Sequence, residues 1–492
     1  MQLPIDRHSS KPIYIQIRDR MRRLIQSGSL QPGDKLPSIR RLARTIQVSP
    51  LTVIEAYGLL EGDNLIQSRP GSGYFVNAIS PKLTASPFAP AQTVIIQDQE
   101  AGGFCQQFVA SLQVQAQGGV IDFSSGFPRP WGLEDLQKIA RRAISQASDS
   151  LFNYGFPQGQ PLLQQQIAQL LVQQGLDISP QDLIITNGSQ QALTLAMQHY
   201  LQPGDWVIVE APTFHGAIAL LENIGARIIG IPMTQTGMNL ELLEQYLRSH
   251  RPKLIYTIST LHNPTGLTTP QSHRQQLLEL ASRYDCPILE DNAYEGLNFE
   301  PVPPPIKAID QNHLVTYVGT FTKSLIPGLR VGYMVVTGAN REAMLKQKLL
   351  HDFHVSTVSQ AIVSEYLASG RYRRHLQQLR SYHFQSRNVM LQALERSFPP
   401  EASWTVPQGG LFLWVHLPDW ISVPALCKAA FAQGVLIANG AAFFPGHKGY
   451  SALRLNYSHS LEEIEVGMAR VGRLVGEMRL VSLAERGKVG ID

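Results

Sequence analysis

An α/β body preceded by a small basic helical unit is the architecture that the sequence predicts, and three observations predict it. From about Ile121 onward, short apolar runs alternate with helical patterns, which is the signature of a mostly parallel sheet covered by helices. Residues 1–78 hold 11 Lys and Arg against 6 Asp and Glu, an excess of five, although the whole 492-residue chain carries a net charge of only +4. Between these parts the composition turns to Pro, Ser, Ala and Gln, with Pro81, Pro87 and Pro90 followed by Gly102 and Gly103, as in an extended spacer. A chain of this length exceeds the ~250 to 300 residues at which a single core stops growing. We therefore expect a head at 1–78, a linker at 79–118 with a short helix around 104–115, and a body at 119–480.

Composition narrows the function classes. Hydrophobic residues make up 43% and charged residues 16%, without a long block of like charge, which describes an ordinary globular chain. Cys105, Cys286 and Cys427 are odd in number and widely spaced, so neither a disulfide framework nor a zinc pattern is present and no metal is expected. The first residues, MQLPIDRHSSKPIY, lack the apolar stretch of an export signal, and no run reaches the ~18 apolar residues of a membrane helix. A cytoplasmic location without membrane contact is the expectation.

The head divides into helix, helix, helix and hairpin. Ile13, Ile17, Met21 and Leu24 fall at helical spacing, and Gly28 and Pro32-Gly33 close that helix. Ser38 is a candidate N-cap for a short second helix, and Ser49 for a third that opens with Pro50 and turns Val53, Ala56, Tyr57 and Leu60 inward. Strands near 65–67 and 74–76 then flank Pro70-Gly71-Ser72-Gly73. This order is a winged helix-turn-helix, whose second helix of the pair suits a major groove and whose hairpin suits the adjacent backbone. Taken alone, the arginines also suit a protein-interaction surface.

The segments PIYIQIRDRMRRLI, GDKLPSIRRLA, VSPLTV and GSGYFV resemble the DNA-binding domain of the GntR family of bacterial regulators. That resemblance implies double-stranded promoter DNA as partner, contacts from Arg40, Arg41, Arg44 and Thr52, and a wing tip at Gly71, Ser72 and Gly73. One departure stands out. The family usually places arginine after the serine that opens the recognition helix, whereas this chain has Pro50, and Ile54 and Glu55 on the outward side are not basic. Phosphate contacts then fall to the arginines, which position a protein without reading sequence.

In the body, chemically loaded residues follow the apolar runs, where an open α/β sheet places its site. They are Asn187-Gly188-Ser189, Phe214, His262-Asn263-Pro264-Thr265-Gly266, Asp291 with Tyr294, and Thr320 with Thr322-Lys323. A lone lysine is usually a surface lysine, and a lone asparagine or aspartate often a turn or cap residue. In order, however, NGSQQAL, APTFHG, HNPTG, EDNAY, TFTKSLIPGLRVGY and LRLNYS resemble fold-type I aminotransferases that use pyridoxal 5'-phosphate, over roughly residues 120–475. The implied fold has a mostly parallel large-domain sheet and a smaller α/β domain.

The resemblance also implies roles, and the chemistry explains the residue types. Lys323 is the lysine that would join the cofactor aldehyde and later move the proton at the substrate Cα. Asp291 would keep the ring nitrogen protonated, Asn263 and Tyr294 would bind the ring oxygen, and Phe214 would stack on the ring. The phosphate would take backbone N–H groups of Gly188, Ser189 and Gln190 at a helix start, the hydroxyls of Thr320 and Thr322, and Arg330. Tyr154 resembles a tyrosine that reaches the phosphate of a neighbouring subunit, implying a homodimer, and Arg454 resembles the arginine that grips a substrate carboxylate.

A winged helix-turn-helix joined to such a body resembles the MocR subfamily of GntR regulators. The expected function is a pyridoxal-phosphate-dependent transcriptional regulator that senses an amine or amino acid, as a dimer whose heads cross to the partner body. The alternative is a working α-amino-acid aminotransferase with a 2-oxo acid acceptor that also carries a DNA-binding head, because Lys323, Asp291 and Arg454 are all present.

Overall fold

A computed structural model of the chain describes residues 5–7, 12–26, 30–31, 33–62, 65–69, 72–76, 88, 92–97, 109, 112–113, 118–129, 132–145 and 149–489. It falls into two compact units, Met1–Ala85 and Ser86–Asp492. Among the described residues no helix is long and apolar enough to cross a membrane.

The first unit consists of helices α1 (Ile13–Gln26), α2 (Ile39–Ile46) and α3 (Pro50–Gly62), then strands β1 (Ile66–Arg69) and β2 (Gly73–Val76) in an antiparallel hairpin. The capping serines act as the sequence suggests. Ser38 Oγ accepts from Arg41 N at 3.3 Å, and Ser49 Oγ from Thr52 N at 3.1 Å. Each cap supplies an acceptor for a backbone donor that the first helical turn leaves without an intrahelical partner. Val53, Ala56, Tyr57 and Leu60 are fully buried against Ile17, Met21, Leu42 and Ile66, so the inward face of α3 is the centre of this small core. Tyr57 is buried with its hydroxyl donating to Pro37 O at 2.8 Å, which fixes the segment entering α2.

The second unit is built on a sheet whose strands lie in the order Ile95–Gln97, Arg227–Thr234, Trp206–Ala211, Leu254–Thr257, Ile288–Asp291, Val315–Thr320, Val331–Val335 and Leu183–Asn187, with Gly237–Met238 paired onto Arg227–Thr234. Neighbours from Arg227–Thr234 to Val315–Thr320 are parallel. Val331–Val335 runs against both of its neighbours. Fully buried runs such as Ile184-Ile185 and Val207-Ile208-Val209 lie within this sheet, as expected when helices cover both faces. A smaller domain follows, with an antiparallel sheet of Ser403–Trp404, Phe412–His416, Ala452–Asn456 and Ala438–Asn439. Its core joins Leu413, Val415, Leu453 and Leu455 to Met390, Leu394, Met468 and Val471 of the long helices Arg371–Ser397 and Leu461–Val489.

One reading changes. Within 79–118, expected to be a spacer, Ile95–Gln97 is an edge strand antiparallel to Arg227–Thr234. Val94-Ile95-Ile96 is a run of only three apolar residues in a polar stretch, too short a pattern to announce a strand, and the long-range pairing supplies the rest. The helix expected at 104–115 falls mostly outside the described residues, as do Cys105 and the wing residue Gly71.

Leu60→Ala would leave a void in the core of the first unit and is expected to destabilise that unit by about 2 to 5 kcal/mol. The measurement is amide hydrogen exchange in the full chain. Faster exchange across Ile13–Gln26 is expected, and exchange at the parental rate there would show that α3 does not anchor α1.

Candidate functional site

The site lies where the parallel strands end and the small sheet faces them. Asp291 closes its strand and is buried. One oxygen accepts from Tyr256 Oη at 2.9 Å and the other from Ala293 N at 3.1 Å. Burial pushes its carboxyl up to about 6, against those two donors and the Lys323 charge, which pull it down. Three residues on, Tyr294 is buried with its ring edge-on to Phe412 and its hydroxyl 3.3 Å from Asn263 Nδ2.

Lys323 follows the strand Val315–Thr320 and donates from Nζ to Gly126 O at 2.8 Å. Burial first, then the neighbouring Arg454 and Arg330 charges, lower its amine to about 8, while Asp291 works the other way. The Gly126 carbonyl is itself held in place. Asn456 Nδ2 donates to Ser125 O and to Phe127 O, both at 3.0 Å, so the loop around Gly126 is tied to the small sheet.

Arg454 is buried at the centre of that tie. It donates to Asn263 Oδ1 at 3.1 Å and to Ser124 O, and its guanidinium carbon lies 4.2 Å from the centre of the Phe412 ring and 4.7 Å from that of Phe443. Its Nε is buried without a hydrogen-bond partner. Burial brings its pKa down to about 10, with Tyr294 and Asp122 opposing the shift.

Gly188 opens the helix Gly188–Tyr200 directly from the strand Leu183–Asn187, so the N–H groups of Gly188, Ser189 and Gln190 belong to a helix start that runs from buried Gly188 to exposed Gln190. Gly188 has φ +74°, and a Cβ there would fall 2.6 Å from Arg330 Nη2. A Cβ on Gly332 would fall 2.5 Å from the Gly188 carbonyl carbon. Both positions require glycine for the helix start, Arg330 and the antiparallel strand to approach this closely. Arg330, itself at φ 53°, donates to Asn187 O at 3.3 Å, and the Thr320 and Thr322 hydroxyls lie 2.9 Å apart at the end of the preceding strand. Phe214 caps the helix His215–Ile224 and packs half-buried over Gly216. Tyr154 stands elsewhere in this unit. It is 86% exposed and meets the rings of Phe353 and His354 at 6.3 and 5.7 Å.

In the first unit, Arg40, Arg41 and Arg44 are exposed on α2, Ser72 and Gly73 at the hairpin turn, and Thr52 half-exposed with its hydroxyl 2.9 Å from that of Ser49.

Several site residues carry no signal that the sequence reading used. Tyr256 reaches Asp291 from the adjacent strand, and that register exists only in the sheet. Buried Glu210 binds Thr257 Oγ1 at 2.6 Å, Ile258 N at 3.0 Å and His262 Nε2 at 3.2 Å, while His262 Nδ1 lies 2.8 Å from Thr265 Oγ1. This chain of contacts braces the turn that carries Asn263. His215 is half-buried near Arg454 and Lys323, and desolvation with those charges drives it down to about 3, so it stays neutral. Asn456 alone had a local signal, because it is two residues from Arg454 and shares its face of the strand.

The donor set fits pyridoxal phosphate. A carboxylate, an amine, a paired amide and phenol, and a glycine-shaped anion cradle stand in one cleft, and the buried Nε of Arg454 still has a proton to donate.

Known proteins match both parts of the chain. Residues 118–471 match the family model for class I and II aminotransferases, and residues 13–76 the model for bacterial regulatory proteins of the gntR family. The uncharacterized HTH-type transcriptional regulator YdcR of Escherichia coli K12 is 32% identical, over 94% of this chain and 99% of that protein. Aromatic-amino-acid aminotransferase 1 of Thermococcus litoralis is 34% identical, over 73% of this chain and 88% of its own length. The crystal structure of Pyrococcus horikoshii kynurenine aminotransferase superposes with a TM-score of 0.71 at 33% identity, covering 75% of this chain and 94% of that one. The chain therefore belongs to the MocR type of GntR-family transcriptional regulators, a gntR DNA-binding domain joined to a class I and II aminotransferase domain.

Proposed function

We propose that this regulator senses an amine or amino acid through pyridoxal phosphate held in its second unit. The single observation that carries the reading is the joint environment of Lys323, whose amine is lowered to about 8 between Arg454 and Arg330, with Asp291 opposite. When bound, the cofactor supplies an aldehyde for an amine and an electron-withdrawing ring. The residues do the rest. Lys323 offers its neutral amine and can carry a proton at Nζ, and Asp291 holds a proton at the ring nitrogen. Asn263 and Tyr294 orient the ring oxygen, and Phe214 packs on the ring. Gly188, Ser189, Gln190, Thr320, Thr322 and Arg330 take the phosphate. Arg454 receives the ligand carboxylate through its planar fork.

The division at 1–78, 79–118 and 119–480 is part of this reading, with the edge strand Ile95–Gln97 assigned to the body. Arg40, Arg41, Arg44, Thr52 and the wing residues 71–73 contact promoter DNA, which places the protein in the cytoplasm. Phe152, Tyr154, Phe156 and Phe353 are each more than 60% exposed, aromatic surface that a homodimer would cover, with Tyr154 reaching the partner's phosphate. The heads then cross to the partner body. Active transamination with a 2-oxo acid is the second reading, and the presence of Lys323, Asp291 and Arg454 together favours it.

The Lys323 amine should be half-neutral near pH 8, whereas exposed lysines reach that point above about 10. Reductive labelling with a small aldehyde across pH, read by peptide mass spectrometry, is expected to show a midpoint near 8 at Lys323. Arg454→Met removes one of the positive charges that lower it and should move that midpoint upward. An unshifted midpoint would remove Arg454 from the electrostatics of the site.

Full-length protein with cofactor should absorb in the visible range and change spectrum with amino acids, and Lys323→Ala should do neither. Retention of a promoter fragment that changes with an added amine, without sustained consumption of a 2-oxo acid, supports the sensor. Many turnovers with no effect on DNA retention would replace it with the enzyme.

A further inference from the structure

The outward face of α3 has the wrong chemistry for phosphate and the right chemistry for base edges. Leu51 is 64% exposed and Ile54 46%, and with Glu55 and Gly58 they form one strip at helical spacing opposite the buried Val53, Ala56, Tyr57 and Leu60. The helix contains no Lys or Arg. Positive charge is carried by its neighbours instead, as exposed Arg40, Arg41 and Arg44 on α2, and as Arg69 of the hairpin and Lys35 ahead of α2, which lie over the Phe75 ring at 4.6 and 5.8 Å. These flanks call for a polyanion. The strip between them calls for an apolar partner, and Glu55 would be repelled by a phosphate at that place. A duplex satisfies both conditions, because thymine presents its 5-methyl group, and cytosine an amine that a carboxylate can accept from, in the major groove between two rows of phosphates.

We propose that Leu51 and Ile54 read thymine 5-methyl groups in the major groove, while Arg40, Arg41 and Arg44 hold the flanking phosphates. Discrimination then comes from apolar contact and not from an arginine paired with guanine. The proposal rests on the DNA-binding reading of this domain.

The test uses the full-length protein with cofactor. Duplexes retained from a random-sequence pool are rebuilt with deoxyuridine at every thymine, which removes only the methyl groups. Affinity is expected to fall roughly fourfold for each methyl that Leu51 or Ile54 covers. The double variant Leu51→Ala/Ile54→Ala should still bind the thymine duplex with the same steep salt dependence, yet lose the preference for thymine over deoxyuridine. Equal binding of the two duplexes by the parent protein overturns the proposal and leaves the DNA-binding reading intact. A double variant that keeps the thymine preference, or that changes oligomeric state instead, also overturns it, the latter by showing that the strip is covered by protein. Retention of no duplex at all overturns the DNA-binding reading together with the proposal.

Discussion

The second unit is organised around a surplus of positive charge in a poorly solvated cleft. Lys323 and Arg454 are both lowered by burial, and Lys323 further by the charges of Arg454 and Arg330. Asp291 opposes them from the strand end, yet burial raises it as well. Such an arrangement is tolerable only because each cation has carbonyl or amide acceptors: Gly126 O for Lys323, Ser124 O and Asn263 Oδ1 for Arg454, and Asn187 O for Arg330. It is also selective. A ligand bearing a phosphate at one end and a carboxylate at the other relieves the surplus, whereas a cation would add to it.

The same interactions join the two sheets. Arg454 and Asn456 leave one strand of the small domain on one face, and both donate to the loop Ser124–Phe127, which in turn accepts from Lys323. Asn263, from the large sheet, accepts from Arg454 and donates to Tyr294. A shift of the small sheet would therefore be felt at Lys323 through a single loop. That is a physical connection between Arg454 and Lys323, the residues proposed for the ligand carboxylate and the cofactor, made of hydrogen bonds rather than of proximity alone.

Much of this was legible from sequence, and for identifiable reasons. The caps Ser38 and Ser49 act on their own next few residues, so local sequence suffices for them. Asp291, Thr320 and Asn187 sit at strand ends because apolar runs end there, again a local signal. What escaped was set by pairing across the sheet. Tyr256 meets Asp291 because Leu289 is in register with it, and Glu210 meets His262 from a strand 52 residues earlier in the chain. Ile95–Gln97 is a strand only because Ile228–Gly230 offers an edge. The close approach of Gly332 to Gly188 is likewise invisible in either motif alone, although each glycine stands inside a motif that the sequence singled out.

Sensing, as proposed, places a quantitative demand on the two units. An amine that binds equally well whether or not DNA is held shifts nothing, however tightly it binds, so regulation requires a different affinity in the two states. Linkage makes that difference reciprocal: a tenfold effect of the amine on DNA affinity, about 1.4 kcal/mol, requires a tenfold effect of DNA on amine affinity. The cleft has a structural means of supplying such a difference, because Arg454, proposed to receive the ligand carboxylate, already holds Asn263 and the Ser124 carbonyl. A carboxylate that draws the guanidinium toward itself weakens those contacts, and with them the hold of the small sheet on the loop beneath Lys323. The energy at stake in a charged hydrogen bond, about 1.5 to 3 kcal/mol, is the size that the coupling needs. A turnover enzyme has no use for that coupling, and its absence would separate a sensor from a catalyst more cleanly than the residue set can.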